Sequence, residues 1–249
     1  MLNRISSVLI ASAVAGVMAF MPAAHGVTQP ASPATSAASS APTPLDRYLK
    51  NLKTLRVTFL QTVADAHGAE VGRSTGTLTV ERPGKFRWDI HPQSVAQAGA
   101  AGQGAAAAAQ AGAAGGGQLM VSDGRNLWYL DRDLQQVTVR PVTAALSATP
   151  AMLLSGTVAV RDHFTESLVG MREGLDWVYV QPRSTEADFK SALFGFDAKG
   201  TLERMILEDK LGQTVTIIFE SVEVNVPVPA NELTFTPPAG ADVIGTPAQ

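Results

Sequence analysis

Residues 78–90 read LTVERPGKFRWDI, two alternating runs joined by an Arg-Pro-Gly-Lys turn. In a strand, successive side chains point to opposite faces, so Leu78, Val80 and Arg82 share one side while Thr77, Thr79 and Glu81 share the other. Arg82 therefore falls on the apolar side. A guanidinium keeps its charge at any relevant pH, and leaving it unpaired there would cost on the order of several kcal/mol. Two readings are open: acceptors meet Arg82 on that face, or it sits at a rim beside a surface carboxylate.

The same period continues on both sides of this stretch. Leu55, Val57 and Phe59 alternate with Arg56 and Thr58, and Phe86, Trp88 and Ile90 alternate with Lys85, Arg87, Asp89 and His91. Turn signals recur at short intervals: DAHGAE, RPGK, SDGRN, DRD, MREG, DAKG and DKLG. The segments between them predict about eleven strands, which in one domain means a large antiparallel sheet curling into a barrel or partial barrel. Two stretches are helical instead. In TPLDRYLKNLKTL, Leu45, Tyr48, Leu49 and Leu52 stand at i, i+3, i+4 and i+7, with Thr43 as cap and Pro44 in the first turn. In TAALSATPAMLLSG there is no alternation, and Thr149, Pro150 and Gly156 mark a start and a stop. Short helices on the apolar side of a curled sheet either cover an open cavity as a lid or plug a packed core, and pattern alone leaves both open.

The start of the chain bears on its compartment. One basic residue, an apolar run from Val8 to Phe20 and the small-residue sequence ending at Gly26 have the layout of a secretory signal peptide over 1–26. The run is shorter than the roughly 20 residues of a membrane span. Removal of Arg4 with that segment leaves 18 basic against 22 acidic residues, a net charge of −4. That charge argues against nucleic acid or an anionic lipid surface as an electrostatically bound partner. The absence of cysteine excludes disulfides, thiol catalysis and acylation of a cysteine at the cleavage site.

Two low-complexity stretches interrupt the remainder. Residues 27–44 are Pro, Ala, Ser and Thr with hardly a large side chain, and are expected to form a disordered leader. Residues 93–118, Ala, Gly and Gln between two strands, are expected to be a disordered insertion into a single domain spanning 45–249. No chemistry stands out. His25 lies in the signal peptide, His67 in a turn, His91 on the polar side of a strand and His163 in VRDHF, none with a second ligand at metal-binding spacing. There is no GxSxG elbow, and Glu203, Glu208 and Asp209 fall on strand ends and turns. No cofactor, metal or nucleotide is expected, and a binding protein is a better reading than an enzyme.

The segments RVTFLQTV, GTLTVERPGKFRWDI, LMVSDGRNLWYLDRDLQQVTV, ATPAMLL and LTFTPPAG, in this order, resemble the LolA family of periplasmic carriers of outer-membrane lipoproteins. The resemblance implies a mainly β fold: an incomplete antiparallel barrel of about eleven strands, half-open, with an α-helical lid over an interior that takes acyl chains. It implies a monomer that receives acylated lipoproteins from an inner-membrane ATP-driven transporter of LolCDE type and delivers them to the outer-membrane receptor LolB. It also assigns residues. Arg82 would latch the lid in the empty state through backbone carbonyls at Leu49 and Leu154; Phe86 would handle partners or cargo; Leu78, Val80, Trp88, Met152 and Leu153 would line the acyl cavity. LolB shares the fold but is itself a lipoprotein, which a chain without cysteine cannot be. A periplasmic lipid or lipopeptide sensor of the same fold is the alternative, and a secreted lipid hydrolase is opposed by the missing nucleophile motif.

Because the insertion has almost no side chain able to pack, deleting residues 94–117 is expected to leave stability within about 1 kcal/mol, closure entropy growing only slowly with loop length. Urea unfolding of the deletion variant checks this; a cooperative loss of the folded state would show the segment to be structural.

Overall fold

The computed structural model describes residues 41–93, 116–142, 150–156, 160–185, 187 and 189–248. The expected signal peptide, most of the leader, most of the insertion and the Thr149 cap lie outside them. Helix α1 spans Pro44–Asn51. The Thr43 side chain accepts from the Asp46 N–H, and the Asp46 carboxylate accepts from the Thr43 N–H, a reciprocal pair that closes the first turn. Its apolar stripe, Leu45, Tyr48 and Leu49, is buried. The helix stops where the backbone turns extended at Leu52, and β1 (Thr54–Ala64) begins at once.

The sheet then builds by short hairpins. After β1 come β2 (Glu70–Glu81), β3 (Lys85–Pro92), β4 (Gln118–Asp123), β5 (Asn126–Asp131) and β6 (Gln136–Pro141). Helix α2 (Pro150–Ser155) and the short α3 (Val160–His163) lead to β7 (Phe164–Arg172), β8 (Leu175–Pro182), β9 (Phe189–Phe196), β10 (Leu202–Asp209) and β11 (Thr214–Val224). A 3-10 turn at Ala230–Leu233 and β12 (Asp242–Ile244) end the chain. These strands form one sheet in the order β12-β6-β5-β4-β3-β2-β1-β11-β10-β9-β8-β7. Neighbours are antiparallel except β12, which runs parallel to β6. β7 and β12 each have one strand neighbour, so the sheet does not close on itself. The fold is mainly β, a half-open barrel with helices on its inner side. Among the described residues the sheet has twelve strands, the expected eleven or so and the short β12, whose three residues are too few to show a period in sequence.

Register explains the inner face. Leu55 is opposite Val80 and Val80 opposite Phe86; Val57 is opposite Leu78 and Leu78 opposite Trp88. These rows belong to one large cluster that also takes Leu45, Tyr48 and Leu49 from α1 and Ala151 to Leu154 from α2. A smaller cluster, Leu119, Val121, Leu130 and Val137, lies on the opposite face, where Trp128 and Phe235 pack with ring centroids 5.5 Å apart. The Thr-Phe-Thr-Pro-Pro end is thus a cover for the outer face of β4 to β6. Glu232 fastens it, accepting from the Arg56 guanidinium and, at 2.8 Å, from the Thr79 hydroxyl.

At the ends of the insertion, the Gln93 N–H donates to Arg73 O and the Arg132 N–H to Gly117 O, each at 2.8–3.0 Å. Gly117 therefore takes part in the folded part's hydrogen bonding, and a deletion ended at 115 leaves that bond in place. In the VSDG...LW hairpin, Asp123 Oδ1 accepts from the Arg125 and Asn126 N–H groups at 2.8 and 2.7 Å, and Oδ2 from the Trp128 indole N–H at 3.1 Å. Burial acts to raise this carboxyl, but the Asn126, Trp128 and Arg125 donors outweigh it and hold its pKa below the usual value. A lowered folded pKa contributes stability that is complete above the unfolded value of about 3.9 and is lost as pH falls through the folded one. Asp123→Asn should therefore be less stable than the parent at pH 7 and should lose less on acidification. Urea midpoints from pH 7 to pH 3 check this; parallel curves would exclude a role for the carboxylate.

Candidate functional site

β2 stops at Glu81, and the chain turns through Arg82, Pro83 and Gly84 into β3. The Arg82 N–H donates to Lys53 O at 2.8 Å, tying the turn to the link between α1 and β1. The Arg82 side chain leans over the inner face, and Nη1 donates to Leu49 O at 2.9 Å. Leu49 lies in the last turn of α1, where carbonyls lack intrahelical partners and carry partial negative charge. The Lys53 N–H, which a longer helix would aim at that carbonyl, donates instead to Asn225 Oδ1 at 2.8 Å, while Asn225 Nδ2 donates to Asn51 O at 3.1 Å. Burial lowers the pKa of the guanidinium from its ordinary value.

The second helix ends at the same corner by a different bond. Gly84 N–H donates to Ser155 O at 2.8 Å, and Gly84 O accepts from the buried Ser122 hydroxyl at 2.6 Å. Pro83 has no N–H, so Gly84 supplies the first free donor after Arg82. The expected acceptor at Leu154 is thus corrected: the α2 carbonyl that this corner engages is that of Ser155, the last residue of the helix, and the donor is backbone rather than Arg82. Two carbonyls before it are served locally, Met152 O by the Ser155 hydroxyl at 2.9 Å and Leu153 O by the Gly156 N–H at 3.2 Å. Gly156 is left-handed, φ 70°. A Cβ there would lie 2.6 Å from Arg82 Nη2, 2.7 Å from Nε and 2.9 Å from Cζ, so the guanidinium rests against the one residue type without a side chain.

Leu78, Val80, Trp88, Met152 and Leu153 are all buried in the same cluster, which brings together the five residues expected to line an acyl cavity. α2, which carries Met152 and Leu153, packs on β2 and β3, which carry the other three, and α1 packs on β8. Phe86 is in the same cluster and wholly buried, 0% exposed, so no partner reaches its ring in this arrangement. At its other end α1 is held to the far side of the sheet, where the Thr43 hydroxyl donates to Glu166 Oε2 of β7 at 2.7 Å. α1 thereby bridges from the β7 edge to the β2–β3 corner. Among the described residues no group of three His, Asp or Glu could hold a metal ion, and no helix is long and apolar enough to cross a membrane.

Sequence reasoning missed Gly84, Ser122, Ser155 and Asn225. Only two carried a signal: Gly84 as the glycine of RPGK, with φ 79°, and Asn225 as an asparagine at a strand end, with φ 61°.

The family described as "Outer membrane lipoprotein carrier protein LolA" matches residues 50–96 and 115–236, leaving out the middle of the Ala/Gly insertion. An "Outer-membrane lipoprotein carrier protein" of Dechloromonas aromatica is 38% identical over 201 residues, covering 81% of this chain and 86% of the relative. A protein of the same description from Nitrosospira multiformis is 36% identical over 200 residues, covering 80% of this chain and 86% of the relative. The crystal structure of a LolA superfamily protein from Nitrosomonas europaea superposes with a TM-score of 0.41 at 12% identity, covering 77% of this chain and 96% of that one.

If Gly156 is glycine because Arg82 lies against it, Gly156→Ala should cost more than backbone strain alone. Gly174 is the control, with φ 78° and nothing within 4 Å of its would-be Cβ. Gly174→Ala should lose about 1–2 kcal/mol from the left-handed backbone, and Gly156→Ala more, with faster hydrogen exchange at the Gly84 amide. Equal losses and unchanged exchange at Gly84 would show that the corner tolerates the methyl group.

Proposed function

The chain belongs to the outer membrane lipoprotein carrier family, and from that premise we propose that it carries acylated lipoproteins across the periplasm, sheltering their acyl chains against the inner face of the sheet. The observation that supports this most is the way that face is covered. Two short helices lie on it, and at one corner the β2–β3 turn meets both, Arg82 at Leu49 O of α1 and Gly84 at Ser155 O of α2, while the sheet itself does not close over that face. A cover made of separate helices, not of further strands of the sheet, can leave without breaking the sheet's own ladder.

The physical need is large. At about 0.8 kcal/mol per methylene, exposing the chains of a triacylated N-terminus to water costs on the order of tens of kcal/mol, which excludes unaided diffusion between membranes. Release sets the opposite requirement: the interior must hold the chains less well than the next acceptor does. The lid meets both, because the same apolar surface receives either helix side chains or acyl chains, and closure competes with cargo. Arg82, with Leu49 O and the neighbouring Gly84–Ser155 bond, is the latch of the closed state in this reading. Leu78, Val80 and Trp88 on the sheet are the surface exchanged between lid and cargo, and Met152 and Leu153 are the lid side chains that cargo would replace or line up beside. An inner-membrane ATP-driven transporter of LolCDE type is the upstream partner and LolB the receptor. No catalytic step is needed, since loading and delivery change contacts and not covalent bonds.

Incubating the mature protein with lipoprotein-loaded inner-membrane vesicles and the transporter tests the reading directly. A carrier brings the lipoprotein into a soluble one-to-one complex; a sensor leaves it in the vesicle, and a hydrolase liberates fatty acid. The latch is tested separately by Arg82→Leu, which removes a charged hydrogen bond of the closed state and leaves an apolar side chain on the inner face. Such a bond contributes about 1.5–3 kcal/mol, so apparent cargo affinity should rise roughly 10- to 150-fold. The variant should load and then fail to pass labelled lipoprotein to receptor-bearing membranes; normal unloading would make Arg82 a scaffold residue only.

A further inference from the structure

Inside the apolar cluster two uncharged side chains carry a polar atom that meets no partner among the described residues. Tyr48 is 9% exposed and Trp88 7% exposed, and both the Tyr48 hydroxyl and the Trp88 indole N–H are buried without a hydrogen-bond partner. Buried tyrosine and tryptophan ordinarily find a partner for this atom, and a donor left without one burdens the folded state. Packing does not call for either group. Tyr48 lies on Phe196 with ring centroids 5.5 Å apart, and Trp88 meets Phe59 edge-on at 6.1 Å and 87°, contacts that an aromatic ring without a polar atom would make as well. The two donors stand on different parts of the interior: Tyr48 on α1, the covering helix, and Trp88 on β3, the sheet itself. Both are on the surface where lid and cargo exchange.

We propose that the Tyr48 hydroxyl and the Trp88 indole N–H are donors to the ester or amide carbonyl oxygens of bound acyl chains. The inference rests on the carrier reading and adds the ligand chemistry: the interior recognises an acyl chain by the carbonyl at its head as well as by its methylenes. An acyl chain cannot enter a dry cavity without bringing that carbonyl near the mouth, and an acceptor that has left water needs a donor. Burial raises the pKa of the Tyr48 phenol, so it remains a neutral donor at any pH the protein meets. The empty, closed form carries two unmet donors; in the loaded form the carbonyls of the cargo meet them. The two groups therefore tilt the balance toward cargo, opposite in sense to Arg82.

The test compares two probes, a synthetic peptide whose N-terminal cysteine bears two ester-linked palmitoyl chains, and its analogue with ether-linked chains of the same length. The parent protein should bind the ester probe more tightly, by roughly 2- to 12-fold for each donor engaged. Tyr48→Phe and Trp88→Phe should each lower the ratio of ester to ether affinity. Tyr48→Phe, which deletes only the unmet hydroxyl, should melt no lower than the parent. The stretching band of a carbon-13-labelled ester carbonyl should lie at lower frequency in the parent complex than in the Tyr48→Phe complex. Equal affinity of the parent for both probes, or equal losses on both in the variants, would overturn the proposal and leave the carrier reading standing. Should Trp88→Phe fail to fold, the Tyr48→Phe ratio and the labelled carbonyl decide. Binding of neither probe by the parent would overturn the carrier reading itself.

Discussion

A sheet with one apolar face that stops short of closing has to be covered, because the inner rows of Leu, Val, Phe and Trp cannot be left to water. Most of the remaining architecture follows from that constraint. The outer face is served by the chain's own C-terminal segment, with Phe235 on Trp128 and Glu232 fastened to Arg56 and Thr79. The inner face is served by two helices of eight and six residues, too short to be stable alone. They exist because the sheet gives their apolar stripes somewhere to go. Their ends still expose carbonyls, and the β2–β3 turn supplies the missing donors.

Parity and spacing made much of this legible. The i, i+3, i+4, i+7 series and the Thr43-Pro44 start located α1 closely, since each is a local property of the chain. Arg82 could be recognised as a charge on the wrong face, and Leu78, Val80 and Trp88 as its neighbours there, because alternation survives folding intact. What the corner meets could not be read from residues at all: any residue offers a carbonyl, so Leu49 O has no signature in sequence as the acceptor of Arg82, and that Gly84 meets α2 at Ser155 depends on where α2 ends. Gly156 could be recognised as a stop but not as the floor beneath a guanidinium. Phe86 had the parity of a core residue, and the core is where it lies. Tyr48 and Trp88 were placed by their apolar bodies, while the isolation of their polar tips is a property of everything around them.

The energetics of the covered state are divided between side chains and a few backbone bonds, and the two parts act differently. Burial of helix side chains on the sheet is non-directional, so acyl chains can replace it at comparable gain per area. The corner bonds are directional and belong to the closed geometry alone. Selectivity between open and closed therefore rests on a small number of polar contacts, although burial supplies most of the total.

That one turn holds both helices has a further consequence. Arg82 reaches α1 and Gly84 reaches α2 from adjacent positions on a chain that Ser122 and Lys53 keep fixed, so displacing either helix disturbs the support of the other. In the carrier reading, opening is then nearly all-or-none. A guest small enough to slip beneath one helix must break the common support yet fills only part of the uncovered surface, whereas one bulky enough to replace both recovers the full area. In that reading the turn would set a threshold on guest size, with stray single-chain amphiphiles turned away without any pocket shaped to reject them.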